Sequence, residues 1–224
     1  MIPDAKRPLR SWVLGRYVHW KVGQAFRGLW LEGQLPPGEE GLLAYTNHSS
    51  FWDGFIAHVL ATRAGRDPYA MMEEHNLSRY RFLARLGAFS IRRHEAASSL
   101  ESLRHARRVL RRPGAILFVF PQGRIEPNAQ PPLRLERGVE VLARLAGVRC
   151  VPVAFRLAFF EHEYPDVLIG VGEPHPPAPL EEMSQRLDAL VERQREISSP
   201  QGRVPLLPGR RSVAQRWDAV RGLS

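Results

Sequence analysis

Short, continuous apolar runs alternate along the chain with longer segments in which apolar residues recur at helical spacing. The short runs predict strands over residues 41–47, 67–73, 88–93, 115–121, 148–157 and 166–172. The periodic segments predict helices over residues 51–63, 77–87, 98–112, 135–147 and 180–197. Strands that alternate with helices are typical of α/β proteins, and strands that are apolar throughout are buried on both faces. We therefore expect an α/β fold with a mostly parallel central sheet flanked by helices.

Residues 10–31 have the pattern of an amphipathic helix. Its apolar stripe comprises Leu14, Val18, Val22, Ala25, Phe26 and Leu29. The opposite side carries Trp12, Trp20 and Trp30 beside arginines. Because aromatic rings next to cations suit the membrane–water boundary, we predict that this segment associates with a membrane surface. The alternatives are a core helix whose tryptophans pack against other elements, and two shorter helices separated at one of the segment's glycines.

The chain divides into three parts by pattern and composition. Residues 1–34 form the N-terminal amphipathic helical segment for membrane association, and residues 35–197 form the α/β domain. Residues 198–224 form a basic tail rich in proline, glycine and arginine. We expect this tail either to be loosely packed or to serve as a second surface anchor around Trp217.

Composition narrows the classes of function. A formal net charge of +9 in 224 residues favours anionic partners. The aromatic residues do not alternate with the basic ones as in a stacking platform, so we expect no nucleic-acid partner. No stretch reaches the ~18 apolar residues of a membrane-spanning helix, no secretory signal is evident, and Cys150 is the sole cysteine. The histidines lack the H-E-x-x-H spacing, so we expect no metal site.

The segment NHSSFWD, residues 47–53, allows two interpretations. The spacing of Ser50 and Asp53 is similar to a capping box, in which Asp53 would stabilise the first turn of a helix. Alternatively, Asp53 holds one ring nitrogen of His48 while the other nitrogen takes a proton from a hydroxyl group. The segment follows a buried strand, and open α/β sheets bind their ligands at the carboxyl ends of strands. Since no G-x-S-x-G motif is present, the hydroxyl group would belong to a substrate.

The same segment resembles the N-H-x-x-x-x-D signature of the glycerolipid (lysophospholipid, 1-acylglycerol-3-phosphate) acyltransferase superfamily. GAFSIRR at 87–93, FPQGRI at 120–125 and CVPVAF at 150–155 resemble its second, third and fourth blocks. The blocks occur in the family's order across roughly residues 41–175.

The resemblance implies a membrane-surface O-acyltransferase. His48 would be the general base oriented by Asp53, and Arg93, Gln122, Gly123 and Arg124 would bind substrate. The hydroxyl of a lysophospholipid or related lipid would attack acyl-CoA or acyl-carrier protein directly, so these thioesters are co-substrates and no cofactor is expected. The implied partners are a membrane lipid and an acyl thioester donor, and acyl-carrier protein is one of the possible donors. The implied location is cytoplasmic, peripheral on the inner face of the membrane.

The third block departs from the family pattern. Gln122 occupies the position of a glutamate, Arg124 that of a threonine, and Ile125 that of an arginine, while Met72 stands where a lysine is usual. These changes alter the charge near the acceptor. We therefore expect an acceptor other than lysophosphatidate, such as another lysolipid, an aminolipid, or a glycosylated or isoprenoid alcohol. The alternative is a non-catalytic lipid-binding protein on the same fold, with Gln122 as a mark of degeneration.

Overall fold

The centre of the protein is one mixed sheet, seen in a computed structural model that describes residues 1–92 and 95–222. Across the sheet, its eight described strands are β4 (Ala88–Ile91), β3 (Asp67–Glu73), β5 (Ala115–Val119), β2 (Leu42–Thr46), β6 (Arg149–Ala158), β7 (Asp166–Val171), β1 (Gly28–Glu32) and β8 (Val204–Pro208). The first five are parallel, whereas β7 runs antiparallel to β6 and β8 antiparallel to β1. The predicted α/β class with a mostly parallel sheet is confirmed.

Helices cover both faces of the sheet. They are α1 (Pro8–Ala25), α2 (Asp53–Arg63), α3 (Glu74–Arg79), α4 (Ala96–Leu110), α5 (Gly138–Ala146), α6 (Leu180–Arg195) and α7 (Val213–Val220), with a 3₁₀ helix at Arg81–Leu86. Successive residues of β2 alternate between two cores. Leu42 and Ala44 pack with α1 and α2, whereas Leu43 and Tyr45 pack with α4, α5 and α6. Burial on both faces explains why this strand is apolar throughout.

The N-terminal segment differs from the prediction of one helix over residues 10–31. Helix α1 ends at Ala25, and residues 28–32 form β1, parallel to β7. The indole Nε1–H of Trp30 donates to buried Asp166 over 2.6 Å, and Arg27 Nε pairs with the same carboxylate at 2.8 Å. The assignment of Trp30 to the cationic side of a helix was therefore wrong. The buried charge of Asp166 requires both donors, and a strand brings them to it.

Two further segments also differ from expectation. The predicted helix over residues 77–87 is divided at Tyr80 between α3 and the 3₁₀ helix. The tail is not loosely packed over residues 204–208, because β8 pairs with β1 and buries Leu207. Arg203, just before β8, pairs with Glu32 at 2.8 Å and fixes the start of this strand. Helix α7 beyond it leaves Trp217 exposed.

Gly209 provides a test of how tightly the tail is attached. A Cβ atom at this position would lie 2.0 Å from the carbonyl oxygen of Phe26. The Gly209→Ala substitution therefore pushes the tail away from β1, and we expect it to lower the free energy of unfolding by about 1–3 kcal/mol in chemical denaturation. In the control Gly138→Ala, the new Cβ meets no atom within 4 Å. Equal losses in the two variants would contradict this account of the tail.

Candidate active site

The site lies where adjacent strands end. Strands β2 and β5 are neighbours and parallel, so the loops that follow them meet at one edge of the sheet. Residues 47–53 follow β2 and lead into α2, and residues 120–126 follow β5. The topology therefore brings the first and third sequence blocks together, at the edge where open α/β sheets bind ligands.

The Asp53 carboxylate is the centre of the first loop. It is fully buried, and its oxygen Oδ2 accepts from His48 Nδ1 at 2.8 Å, from the Ser49 backbone N–H at 2.6 Å and from the Ser50 backbone N–H at 2.8 Å. Oxygen Oδ1 accepts from the Ser50 hydroxyl at 2.7 Å. A buried carboxylate is stable only when donors replace its lost hydration. Asp53 also begins α2, where a negative charge meets the positive end of the helix dipole.

His48 stands between this carboxylate and an open groove. Since buried Asp53 accepts at Nδ1, the ring carries its proton on Nδ1 when it is neutral, and Nε2 presents a lone pair. The side chain is 23% exposed, and the Phe120 ring lies against the imidazole with centroids 4.4 Å apart. This is the geometry of a general base: one nitrogen is fixed and the other is accessible.

Asn47 fixes the loop to the sheet. Its Oδ1 accepts from the Phe155 backbone N–H, and its Nδ2 donates to the Phe155 carbonyl oxygen, each over 2.8 Å. The side-chain amide thus continues the pairing of β2 with β6 beyond the end of β2. His48, the next residue, is thereby held at a defined position along the sheet edge.

The loop after β5 holds the backbone of His48 from the other side. Gln122 Oε1 accepts from the His48 backbone N–H at 2.7 Å, and the Glu126 backbone N–H donates to the His48 carbonyl oxygen at 2.8 Å. Gln122 Nε2 donates to the Glu126 carboxylate. Gly123 closes the turn with a φ of +71°, a left-handed backbone conformation in which a side chain would be strained. The two loops are therefore joined at the His48 backbone through two hydrogen bonds, and the Gln122–Glu126 bond ties together the side chain and the residue that make them.

Arg124 and Glu126 form an ion pair at the rim of the groove. Arg124 Nε donates to Glu126 Oε1 over 2.7 Å, while the guanidinium is largely exposed. Hydrogen bonds from Arg124 and then from Gln122 lower the pKa of Glu126 below its ordinary value. Glu126 therefore stays ionised at neutral pH and offsets the charge of Arg124.

The groove that His48 faces has a volume of about 590 Å³ and is lined mainly by apolar side chains. It extends from His48 past residues of β3, β4 and β5. His58 of α2 lines its wall, and burial, followed by the charge of Lys6, lowers the pKa of His58 to about 4. Since this imidazole is neutral at physiological pH, it adds no charge to the wall. A fatty chain suits such a surface.

The structure brings together five of the six site residues predicted from sequence: His48, Asp53, Gln122, Gly123 and Arg124. The sixth, Arg93, lies outside the described residues. Sequence reasoning missed Glu126, whose only signal was a carboxylate four residues after Gln122. Within residues 1–92 and 95–222, no group of three or more histidine, cysteine, aspartate or glutamate side chains could hold a metal ion.

Comparisons with known proteins agree with the motif pattern. The family profile described as acyltransferase matches residues 31–156, which is more than half of the chain. Among solved structures, the chain is similar to the 1-acyl-sn-glycerophosphate (LPA) acyltransferase PlsC from Thermotoga maritima, with 17% identity and a TM-score of 0.55. That match covers 82% of this chain and 79% of the other, and it shows a shared fold. No curated protein sequence matches significantly.

The link between Gln122 and Glu126 can be tested by exchanging the two residues. Gln122→Glu places a second carboxylate against Glu126, so we expect the thermal unfolding midpoint to fall by about 2–4 °C. In the double variant Gln122→Glu/Glu126→Gln, the amide at position 126 can donate to the carboxylate at position 122, so the hydrogen bond is restored in the opposite direction. We expect it to recover most of the lost stability. An exchange no more stable than Gln122→Glu alone would show that the two side chains do not act together.

Proposed function

The chain belongs to the acyltransferase family, and we propose that it transfers a fatty acyl group from a thioester to the hydroxyl of a lysophospholipid or related lipid at a membrane surface. The observation that carries this proposal is the His48–Asp53 pair, joined over 2.8 Å, at the mouth of an apolar groove. Resemblance in four sequence blocks supports the same reaction class. The donor is acyl-CoA or acyl-carrier protein as co-substrate, and the reaction needs no cofactor.

The proposed reaction uses one imidazole for two proton transfers. His48 Nε2 takes the proton from the acceptor hydroxyl as its oxygen attacks the thioester carbonyl carbon. The tetrahedral intermediate then collapses, the carbon–sulfur bond breaks, and the imidazolium returns the proton to the leaving thiolate. Asp53 stabilises the imidazolium between these transfers. The products are the acylated lipid and a free thiol, so no acyl-enzyme forms.

His48→Ala tests the mechanism. General-base catalysis contributes about 10²–10⁴-fold, so we expect kcat for acyl transfer to fall by that factor in an assay with labelled acyl-CoA and a panel of lysolipids and lipid alcohols. The thermal unfolding midpoint should fall only modestly, since Asp53 keeps its donors from Ser49 and Ser50. His162→Ala is the matched control and should retain full activity. A non-catalytic lipid-binding protein would instead show no transfer in the wild type and equal lipid binding in His48→Ala.

We further propose that α1 docks on the cytoplasmic face of a membrane. An exposed stripe of α1, here called the aromatic face, consists of Leu9, Trp12, Val13, Tyr17 and Trp20. Arg16 lies over the Trp12 ring and Lys21 lies near the Trp20 ring, at 5.3 and 5.8 Å from the ring centroids. Rings that penetrate the interface beside cations that meet anionic headgroups are typical of peripheral helices. Within the described part of the chain, no helix combines the length and apolar character needed to cross a bilayer.

The aromatic face can be tested by co-sedimentation with liposomes. We expect Trp12→Ala/Trp20→Ala to lower the partition coefficient for anionic liposomes at least tenfold, because each indole that enters the membrane interface removes apolar surface from water, at about 25 cal/mol per Å². At the same salt concentration, the protein should bind oligonucleotides no more tightly than it binds neutral liposomes. Trp217→Ala, on α7, is the matched control, since that indole is exposed to a similar degree. A loss confined to Trp217→Ala would instead assign the docking surface to α7.

A further inference from the structure

The described side chains around the groove carry charges of both signs. Glu73, Arg124, Glu136 and Arg137 line it, which gives two acidic and two basic side chains among the described residues. Glu126, bound to Arg124, adds a third carboxylate at the rim. A phosphate that approaches Arg124 from the groove therefore also meets the Glu126 carboxylate.

The Arg124–Glu126 pair is held in place by the catalytic loop itself. Gln122 binds the His48 backbone with its carbonyl oxygen and the Glu126 carboxylate with its amide group. The Glu126 carboxylate thus accepts from Gln122 through one oxygen and from Arg124 through the other. Because the His48 loop fixes Glu126, movement of Arg124 away from its partner would leave an ionised carboxylate beside the site.

We propose that Glu126 determines the acceptor class, and that this acceptor is a zwitterionic lysophospholipid, with an ammonium group and a phosphodiester, in preference to a phosphomonoester. The inference rests on the proposed acyl transfer and concerns only the headgroup. A zwitterion presents one charge of each sign, as the pair does: its phosphodiester meets Arg124 and its ammonium meets Glu126. A phosphomonoester carries close to two negative charges at neutral pH, and the Glu126 carboxylate repels them.

Aromatic rings at the groove support the same class of headgroup. Phe51 and Tyr80 both line the groove, with ring centroids 6.4 Å apart, and Arg79 already lies over the Tyr80 ring at 5.4 Å from its centroid. Phe51 is more than half exposed, so its ring is accessible to a ligand. An ammonium group is attracted to such rings as well as to a carboxylate, whereas a phosphate is not.

The test compares two acceptors that share one acyl chain, lysophosphatidylethanolamine and lysophosphatidate, in mixed micelles of constant surface charge. We expect the wild type to favour the zwitterion by at least tenfold in kcat/KM. Glu126→Gln frees Arg124 and should shift this ratio about tenfold toward the phosphomonoester. Glu192→Gln is the matched control, because Glu192 forms a similar exposed pair with Arg195 on α6, and it should leave the ratio unchanged.

A second variant changes the ratio in the opposite direction. Arg124→Gln leaves Glu126 without its cation, so the preference for the zwitterion should increase. A wild type that prefers lysophosphatidate, or equal ratios in wild type and both variants, would overturn the inference while leaving acyl transfer intact. Transfer to other acceptors of the panel but to neither of these two would overturn the inference alone. Transfer to no acceptor of the panel would overturn the proposed function; binding of the two lysolipids to His48→Ala, with and without Glu126→Gln, would then test the selectivity separately.

Discussion

The fully buried Asp53 carboxylate is the interaction on which the site depends. It receives hydrogen bonds from the backbone of Ser49 and Ser50, from the Ser50 hydroxyl and from the His48 ring. The contacts expected from both interpretations of the NHSSFWD segment are therefore present at once: the acid that starts α2 also binds the His48 ring. Because one charge organises the turn and the base, removing it disturbs the helix start and the catalytic geometry together.

The sheet order makes this arrangement possible. Strand β2 lies between β5 and β6, and the start of the loop that follows β2 is bound on both sides. Asn47 is bound to the Phe155 backbone of β6, and the His48 backbone is bound to Gln122 and Glu126 in the loop after β5. Gln122, which stands where the family pattern has a glutamate, fits this arrangement of the two loops. Gln122 can bind His48 and Glu126 together because an amide both accepts and donates, which a glutamate cannot do when ionised.

The sequence predicted the central strands well, since residues such as Leu42 to Tyr45 must be apolar on both faces. It also predicted the His48–Asp53 pair, because both residues belong to one short turn. It failed where the partner is distant in the chain. No residue near Trp30 in the sequence indicates that its indole donates a hydrogen bond to buried Asp166. The apolar spacing of Val22, Phe26 and Leu29 suits one long helix as well as a helix followed by a strand. The role of Glu126 was missed for the same reason, since it depends on a contact with the His48 backbone across the sheet edge.

The position of one proton tests the central claim most directly. Long-range ¹H–¹⁵N correlation spectra of the wild-type protein, recorded where the His48 ring is neutral, report which ring nitrogen is protonated. We expect a proton on Nδ1, donated to Asp53, and an unprotonated Nε2 facing the groove. A proton on Nε2 would contradict this expectation, because the imidazole would then have no lone pair available for the acceptor hydroxyl.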